Sequence, residues 1–430
     1  MMVERNLPSP IAYLTGEYPR ATDTFIQREV FELRKQGMDV LTCSIRKTGA
    51  EHLVGPEQRN EAKKTFYVLA TAKAPNRLIA CHIRALFSTP RKYFSTLWLA
   101  ICTGSAGFKG RLYQLFYFAE AIILADYLKQ QGVVHLHNHI ATASCSVAML
   151  ASKASGIPYS FTLHGPDIFF EPQRWRLDVK IKNASFVACI SNFCRDQAKA
   201  HSSADCWDKL HIVHCGVEPD RYGAKTITGK KPPHITFVGR LATVKGIPVL
   251  LEALAWLQSR IPDLQVTLIG DGPERAELEI KAGELGLTDM VTFAGYRSQT
   301  EVADMLQETD LFVLPSFAEG VPVVLMEAMA AKLAVVATQI AGIPELVDDG
   351  VNGLLVPAGD VDRLAQAILT LLQDENLRAK MGRAGQAKVK DAFNIHHEAV
   401  WLAEVMQAYS LAGTSAFRQP VRGGKAIQDG

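Results

Sequence analysis

The chain reads as an α/β protein of two domains, each built from βα units on a parallel sheet. Three observations predict this. Short apolar runs alternate with helix-like segments through the first half, as βα units require. A polar stretch at 225–233, with Thr226, Thr228, Gly229, Lys230, Lys231 and Pro232, interrupts the alternation as an interdomain linker would, and the pattern restarts beyond it. A length of 430 residues also exceeds what one core usually serves.

In the first half a strand over 11–14 ends at Thr15 and Gly16. A helix over 24–36 carries Phe25, Val30, Phe31 and Leu33 and stops at Gly37. A second strand covers 40–44, and helices are then expected to lead into an amphipathic helix over 111–130, with Leu112, Leu115, Phe116, Ala119, Ile122 and Ile123 at helical spacing. The strand over 133–139 carries His135, His137 and His139, which share one face. Alternating histidines suggest a metal site, but no carboxylate is close in sequence, so buried or cleft-lining histidines are expected instead. The strand over 159–163 runs into a turn with His164 and Asp167 at its carboxyl end. A histidine there either donates to a phosphate or sugar hydroxyl or simply closes the strand. A strand over 186–190 opens a helix with Ser191 as N-cap, and a strand from 211 ends in turn residues.

The second half begins with a strand over 234–238, a turn over 239–246 and a helix over 247–259. Strands over 264–269, 291–295, 311–314, 334–338 and 353–356 follow, with helices between them. Gly295 and Tyr296 sit where a nucleobase can lie against exposed backbone. Two helices follow from 360, the second over 395–410 packing back on the first domain, and the Gly-rich polar residues beyond 413 are expected to be disordered.

Composition narrows the classes. A hydrophobic fraction of 48% against 21% charged describes a globular chain. Eight cysteines without a C-x-x-C suggest neither zinc nor a disulfide framework, and reduced thiols fit a cytosolic protein. The first residues lack a signal peptide's apolar core, and no apolar run reaches about 18 residues, so no spanning helix is expected. The net charge of +2 hides an asymmetry: 62–119 holds no Asp or Glu but nine Lys and Arg, with aromatics including Phe87, Phe94, Trp98, Tyr113 and Phe116. Two readings stay open, a helical lobe with a solvated basic face or an interfacial surface on an anionic bilayer. Nucleic acid is not expected as a partner, since no nucleic-acid module accompanies the charge.

The stretch most suited to chemistry is 317–327. Glu319 follows the apolar run 311–314, Gly320 and Pro322 mark a tight lead-in to a helix with Pro in its first turn, and Glu327 lies two turns further on. A carboxylate at a strand's carboxyl end beside free helix N–H groups faces the ligand crevice of a parallel sheet. Upstream, Arg240 and Lys245 flank a turn bounded by Gly239 and Gly246, a suitable cradle for a diphosphate. Its spacing matches neither the P-loop nor the dinucleotide fingerprint.

Taken together, Gly239 with Arg240, Lys245 with Gly246, the run 270–273, Gly295, Pro315 with Ser316, and Glu319, Gly320, Val321, Pro322 and Glu327 resemble the sugar-nucleotide half of glycosyltransferase family 4. The runs 342–345 and 349–353 extend the match. The opening Glu17, Tyr18, Pro19, Arg20 with the run 24–29 is similar to the colanic-acid and exopolysaccharide branch, while His214-Cys215-Gly216 departs from the usual Asn-Gly at the domain junction. The resemblance implies a GT-B fold, two Rossmann-like domains with parallel sheets facing a central cleft. The acceptor-binding domain would cover 1–222, the sugar-nucleotide domain 223–394, a helix over 395–411 would pack back, and 412–430 would form the tail. It implies that Arg240 and Lys245 hold the donor diphosphate, Glu327 the ribose hydroxyls, and Glu319 the donor sugar. The N–H groups of Gly320 and Val321 would contact sugar or phosphate, and His164 would face the sugar from across the cleft. Gly239, Gly295 and Pro322 complete the donor side, with Gly16 and Asp167 on the acceptor side.

The expected activity is retaining, metal-independent transfer of a hexose from a nucleotide-diphosphate sugar to a lipid-linked or growing polysaccharide acceptor. It would take place at the cytoplasmic face of a membrane, in exopolysaccharide or lipopolysaccharide assembly, without a cofactor. A sugar-nucleotide epimerase and a catalytically silent nucleotide-sugar-binding protein are the alternatives.

Overall fold

The structure is a computed structural model describing residues 9–104, 107–165, 171–223, 232–412 and 417–422. Asp167, residues 225–231 of the expected linker, and residues 413–416 and 423–430 of the expected tail lie outside the described residues.

Two parallel sheets organise the chain. The first contains β1 (Ile11–Tyr18), β2 (Val40–Lys47), β3 (Phe66–Tyr67), β4 (His135–His139), β5 (Tyr159–Leu163), β6 (Val187–Cys189) and β7 (Leu210–Ile212), in the order β3-β2-β1-β4-β5-β6-β7. The second contains β8 (His234–Val238), β9 (Gln265–Ile269), β10 (Val291–Gly295), β11 (Leu311–Leu314), β12 (Ala334–Thr338) and β13 (Leu354–Val356), in the order β10-β9-β8-β11-β12-β13. Each sheet reverses its winding at its first strand: β1 pairs with both β2 and β4, and β8 with both β9 and β11. Such a switch point leaves a crevice at the carboxyl ends of the strands, which is where this fold class binds ligands. Buried parallel strands read as unbroken apolar runs. β11 and β12 obey this rule, and every one of their residues but the small Thr338 is apolar. β4 breaks it, carrying three histidines and an asparagine, all buried.

Helices cover the sheets. In the first domain α1 (Thr24–Lys35), α2 (Pro56–Lys64) and α3 (Val68–Ala72) precede a helical lobe of α4 (Pro75–Ser88), α5 (Pro90–Thr103) and α6 (Phe108–Gln130). Next come α7 (Ala143–Ser155), α8 (Leu177–Asn183) and α9 (Asn192–Ala200). In the second domain α10 (Ile247–Gln258), α11 (Arg275–Glu284), α12 (Gln299–Gln307), α13 (Val323–Ala330) and α14 (Ile343–Leu346) alternate with the strands.

Several boundaries differ from those read in the sequence. β1 continues through Gly16 to Tyr18, because β2 keeps offering it partners as far as Glu17 opposite Arg46 and Tyr18 opposite Lys47. α13 starts only at Val323, so Pro322 is its N-cap rather than a first-turn residue, and Glu327 is the fifth residue of the helix. Among the described residues three helices, not two, follow 360: α15 (Val361–Gln373), α16 (Glu375–Ala392) and α17 (Ile395–Ser410). Two capping residues in extended conformation make the breaks. The Asp374 side chain accepts from Leu377 N and the Asn394 side chain from His396 N.

The last helix returns to the first sheet. Ala399, Trp401, Leu402, Val405 and Met406 of α17 join Ile11 and Tyr13 of β1 and Ile26, Val30 and Leu33 of α1 in one core cluster. The Trp401 indole N–H also donates to Ile212 O at 2.8 Å. Truncating a buried tryptophan costs about 3–5 kcal/mol. Trp401→Ala is therefore expected to lower the first urea transition markedly. A loss below about 1 kcal/mol would show that α17 adds nothing to this core.

Candidate active site

A cavity of about 480 Å³ lies between the two domains, where the two switch points face each other. From the first domain it is lined by the loop Arg20 to Phe25, by His164 and by Cys215. From the second it is lined by the turn after β8, by Tyr296 and Arg297 after β10, and by the segment between β11 and the middle of α13.

The turn after β8 is shaped by close backbone approach. Gly246 has φ +66°, and a Cβ there would lie 2.0 Å from Pro315 O, so only glycine lets the turn nest against the end of β11. Phe317 N–H donates to Val244 O at 2.8 Å and pins the two segments together. This contact brings Lys245 to Glu319 although 74 residues separate them. The Lys245 Nζ donates to Glu319 Oε1 at 2.6 Å, and the Ser316 hydroxyl donates to the same oxygen at 2.8 Å. Arg240 lines the same cavity, exposed, and makes no ion pair among the described residues. The backbone N–H groups of Gly320 and Val321 likewise have no hydrogen-bond partner among the described residues, so cations and free donors crowd one end of the cavity.

Glu327 is held differently. Its Oε1 accepts from Arg28 Nη2 of α1, in an ion pair buried on both sides, and the same nitrogen donates to the Tyr222 hydroxyl at 3.0 Å. The domains also touch at Gly320, where a Cβ would stand 2.0 Å from His164 O. Glu345 of α14 reaches across to the start of α9, accepting from Asn192 N and Phe193 N at 2.8 Å each. A carboxylate at a helix N-terminus is satisfied by the free N–H groups and the helix dipole.

Behind His164 lies a buried polar chain. His164 Nε2 is 2.8 Å from His139 Nδ1, His139 Nε2 is 3.1 Å from Glu29 Oε1, and the Tyr13 hydroxyl donates to that oxygen at 2.6 Å. With Glu29 accepting from both neighbours, His139 carries its proton on Nε2 and accepts from His164 on Nδ1. The remaining His164 nitrogen, Nδ1, lies 3.6 Å from Cys215 Sγ. His164 therefore lines the cavity with both ring nitrogens already on protein partners. His135 and His137 bond to Ser160 and Thr162 of β5. Burial pushes His135 down to about 4 and His139 down to about 3, and lowers His137 and His164 as well. Burial also raises the Glu29 carboxyl.

The absence of a carboxylate near the three histidines held only along the chain. Glu29, His137 and His139 offer ligand atoms within 4.8 Å of one another. Each is already hydrogen-bonded, which makes the cluster a wired network in this arrangement rather than an open site.

Of the residues singled out in the sequence, Gly239, Arg240, Lys245, His164, Glu319, Gly320, Val321, Pro322 and Glu327 line the one cavity. Gly16 does not line it, being held inside β1. Gly295 also stands back; with φ +70° it turns the chain so that Tyr296 reaches the cavity instead. Sequence reading gave no role of their own to Arg28, Glu29 and Glu345, each of which has a partner more than a hundred residues away. It also missed Arg20 and Cys215 as lining residues. The runs 24–29 and 342–345 that contain the first three enter the sequence reading only through the family resemblance.

Residues 220–388 match the family model described as glycosyl transferases group 1, and residues 66–221 the model described as Glycosyltransferase Family 4. The chain is 36% identical to the amylovoran biosynthesis glycosyltransferase AmsK of Erwinia amylovora over 46% of its own length and 51% of that protein, so the match spans about half of the relative. It is 30% identical to the alpha-D-kanosaminyltransferase of Streptomyces kanamyceticus, covering 58% of this chain and 70% of that one. A putative colanic acid biosynthesis glycosyltransferase, WcaL of Salmonella typhimurium, aligns over 89% of this chain and 96% of its own at 24% identity. Among solved structures, Anabaena HepE in complex with UDP superposes with a TM-score of 0.68 over 93% of this chain and all of that one, at 18% identity. That likeness establishes the fold.

The buried histidines set a pH dependence. A histidine whose folded pKa lies below its unfolded value of 6.5 is neutral when folded and takes up a proton on unfolding. Its contribution to stability is present above pH 6.5 and is lost as pH falls towards the folded value. At pH 5 His135 and His139 should each remove about 2 kcal/mol. Glu29 acts in the opposite direction, as one group against four. The melting temperature is expected to fall steeply between pH 7 and 5, and a flat profile would contradict a neutral buried cluster.

Proposed function

This chain belongs to glycosyltransferase family 4, and we propose that it moves a hexose from a nucleoside-diphosphate sugar to a lipid-linked or growing polysaccharide acceptor, with retention at the anomeric carbon. The observation that carries this reading is the single cavity in which Arg240, Lys245, Glu319 and Glu327 converge at two facing switch points. Departure of a nucleoside diphosphate develops negative charge. Lys245, the exposed Arg240 and the free N–H groups of Gly320 and Val321 are suited to stabilise it without a divalent metal. Glu327 takes the ribose hydroxyls, Glu319 the sugar, and His164 shapes the sugar's far side together with its carbonyl.

How Glu319 is tied bears on which of two retaining routes is used, a covalent double displacement or a same-face substitution. Its Oε1 already accepts from Lys245 and Ser316, and an oxygen so engaged is a poor nucleophile. That arrangement favours same-face substitution over a covalent glycosyl-enzyme. The UDP in the HepE structure supports a nucleoside-diphosphate donor, and the amylovoran and colanic acid relatives support a place in exopolysaccharide assembly.

The helical lobe supports a lipid-linked acceptor. No helix among the described residues is long and apolar enough to cross a membrane. Yet α4, α5 and α6 turn Ile79, Phe87, Phe94, Trp98, Tyr113 and Phe116 outward, with Phe87 80% exposed. Arg77, Arg91, Lys92, Lys109 and Arg111 lie on the same three helices without a single acid before Glu120. Basic charge beside outward aromatics suits the headgroup layer of an anionic bilayer on the cytoplasmic side.

Incubation with UDP-, GDP- and ADP-sugars and a membrane extract is expected to release nucleoside diphosphate, with the product anomer unchanged by NMR. Lys245→Ala should lower turnover about 100- to 1000-fold, and unchanged turnover would sink the assignment. Loss of the nucleotide sugar without acceptor or released diphosphate would indicate epimerisation instead. In flotation assays the protein is expected to rise with phosphatidylglycerol vesicles at low salt but not with phosphatidylcholine vesicles. Phe87→Ser with Trp98→Ser should abolish this, and equal flotation with both lipids would rule out the charge-assisted mode.

A further inference from the structure

Glu327 belongs to the second domain, but the group that holds it comes from the first. Arg28 projects from α1, its side chain 4% exposed, and reaches Oε1 of a carboxylate whose side chain is 7% exposed. The Tyr222 hydroxyl, which accepts from the same Arg28 nitrogen, follows the short turn Pro219–Arg221 at the junction between the domains. Three segments thus meet on one carboxylate: the first domain, the junction and α13.

The pair is hard to explain as a simple stabiliser. Burying a guanidinium and a carboxylate removes both from water, and their attraction seldom returns more than that penalty. Here the match is also incomplete, because Arg28 Nη1 is buried and has no hydrogen-bond partner among the described residues. An aliphatic contact would join the domains with less desolvation. What the ion pair does that an aliphatic contact does not is fix the direction of a carboxylate. A carboxylate has two oxygens and about four acceptor positions. With Arg28 and Tyr222 occupying one side, the rest of Glu327, which lines the cavity, is left to accept from ribose hydroxyls.

We propose that Arg28 is a positioning residue for nucleotide recognition: it orients Glu327 towards the ribose, so that the ribose subsite is complete only when the first domain is docked on the second. The proposal rests on the reading above that Glu327 takes the ribose. It adds that donor recognition is shared by both domains. A donor therefore reads domain closure directly, through one buried guanidinium, and not only through contacts it makes itself.

Calorimetry on the full chain tests this with UDP, GDP and ADP, followed by the 2′-deoxy form of whichever binds best. The wild type is expected to prefer the ribonucleotide about tenfold or more, the worth of a hydrogen bond to a charged group. Arg28→Ala should weaken the ribonucleotide about tenfold or more but the deoxy form by less than about threefold, erasing the preference. Glu327→Gln should do the same, and the double variant should lose no more than either single one. Arg28→Lys retains a cation but not the planar fork, and should restore only part of the preference. It also serves as the readable variant if Arg28→Ala does not fold. Equal weakening of both nucleotides by Arg28→Ala would reduce Arg28 to a domain tether, and tighter binding would make it an occluding group; either overturns the proposal. If the wild type binds none of the three, the donor reading itself is wrong and this inference goes with it. If the wild type binds but its ribose preference survives in Arg28→Ala, only this inference fails.

Discussion

The architecture turns on how closely the segment between β11 and α13 approaches its neighbours. At Gly246 and Gly320 a single added methyl would collide with a backbone carbonyl, of Pro315 in one case and His164 in the other. The first contact sets the Lys245 turn against the β11 end. The second sets that same end against the opposite domain. Because both approaches occur within a few residues of Glu319, the ion pair, the free N–H groups and the domain contact are placed by one stretch of chain. Packing of this density transmits displacement rather than absorbing it. A shift of the domains therefore moves the carboxylates with the wall of the cavity.

The charges of the cavity are arranged in unequal pairs. Lys245 and Glu319 satisfy each other within one domain, whereas Glu327 depends on a guanidinium from the other. Arg240 is left exposed at the same cavity. Formal charge around the cavity is thus nearly balanced, and an incoming diphosphate would be held by redistributing existing hydrogen bonds to Lys245 and by engaging Arg240. On the opposite wall the chain from Tyr13 through Glu29 and His139 to His164 satisfies buried polar groups that would otherwise be costly. It also holds the His164 ring in one orientation. Together with the bonds of His135 and His137 to Ser160 and Thr162 of β5, it gives each of the three buried β4 histidines a polar partner.

The helical lobe inverts the usual pattern. Cys81, Ala100 and Phe118 face inward, and Phe66 stacks on Tyr127 with centroids 3.8 Å apart, so part of its aromatic content is ordinary core. The remainder points outward beside basic residues. The helical lobe read from the sequence is present, and its helices separate buried from exposed aromatics by face. Periodicity alone did not divide them, because aromatic residues on both faces blur the 3.6-residue stripe.

Much of the fold was legible because parallel strands buried on two faces must be apolar, and glycine and proline punctuate the turns between them. The cavity residues within 239–246 and 319–327 were legible for a related reason: each set is one local run, and the family resemblance gave those runs their expected roles. Boundaries slipped where a neighbour decided them, as when β2 extended β1 through Gly16 or when Asp374 and Asn394 divided the C-terminal helices. Arg28, Glu29 and Glu345 fall in runs that the family resemblance includes, but their contacts were out of reach, since each acts on a partner distant in the chain. The sequence by itself determined the two sets of βα units and the residue types at the cavity, because these follow from local pattern; the strand order that makes the switch points came from the structure. Only the tertiary structure decided which charges meet there, because a buried ion pair between domains is a property of packing and leaves no periodic trace in either segment.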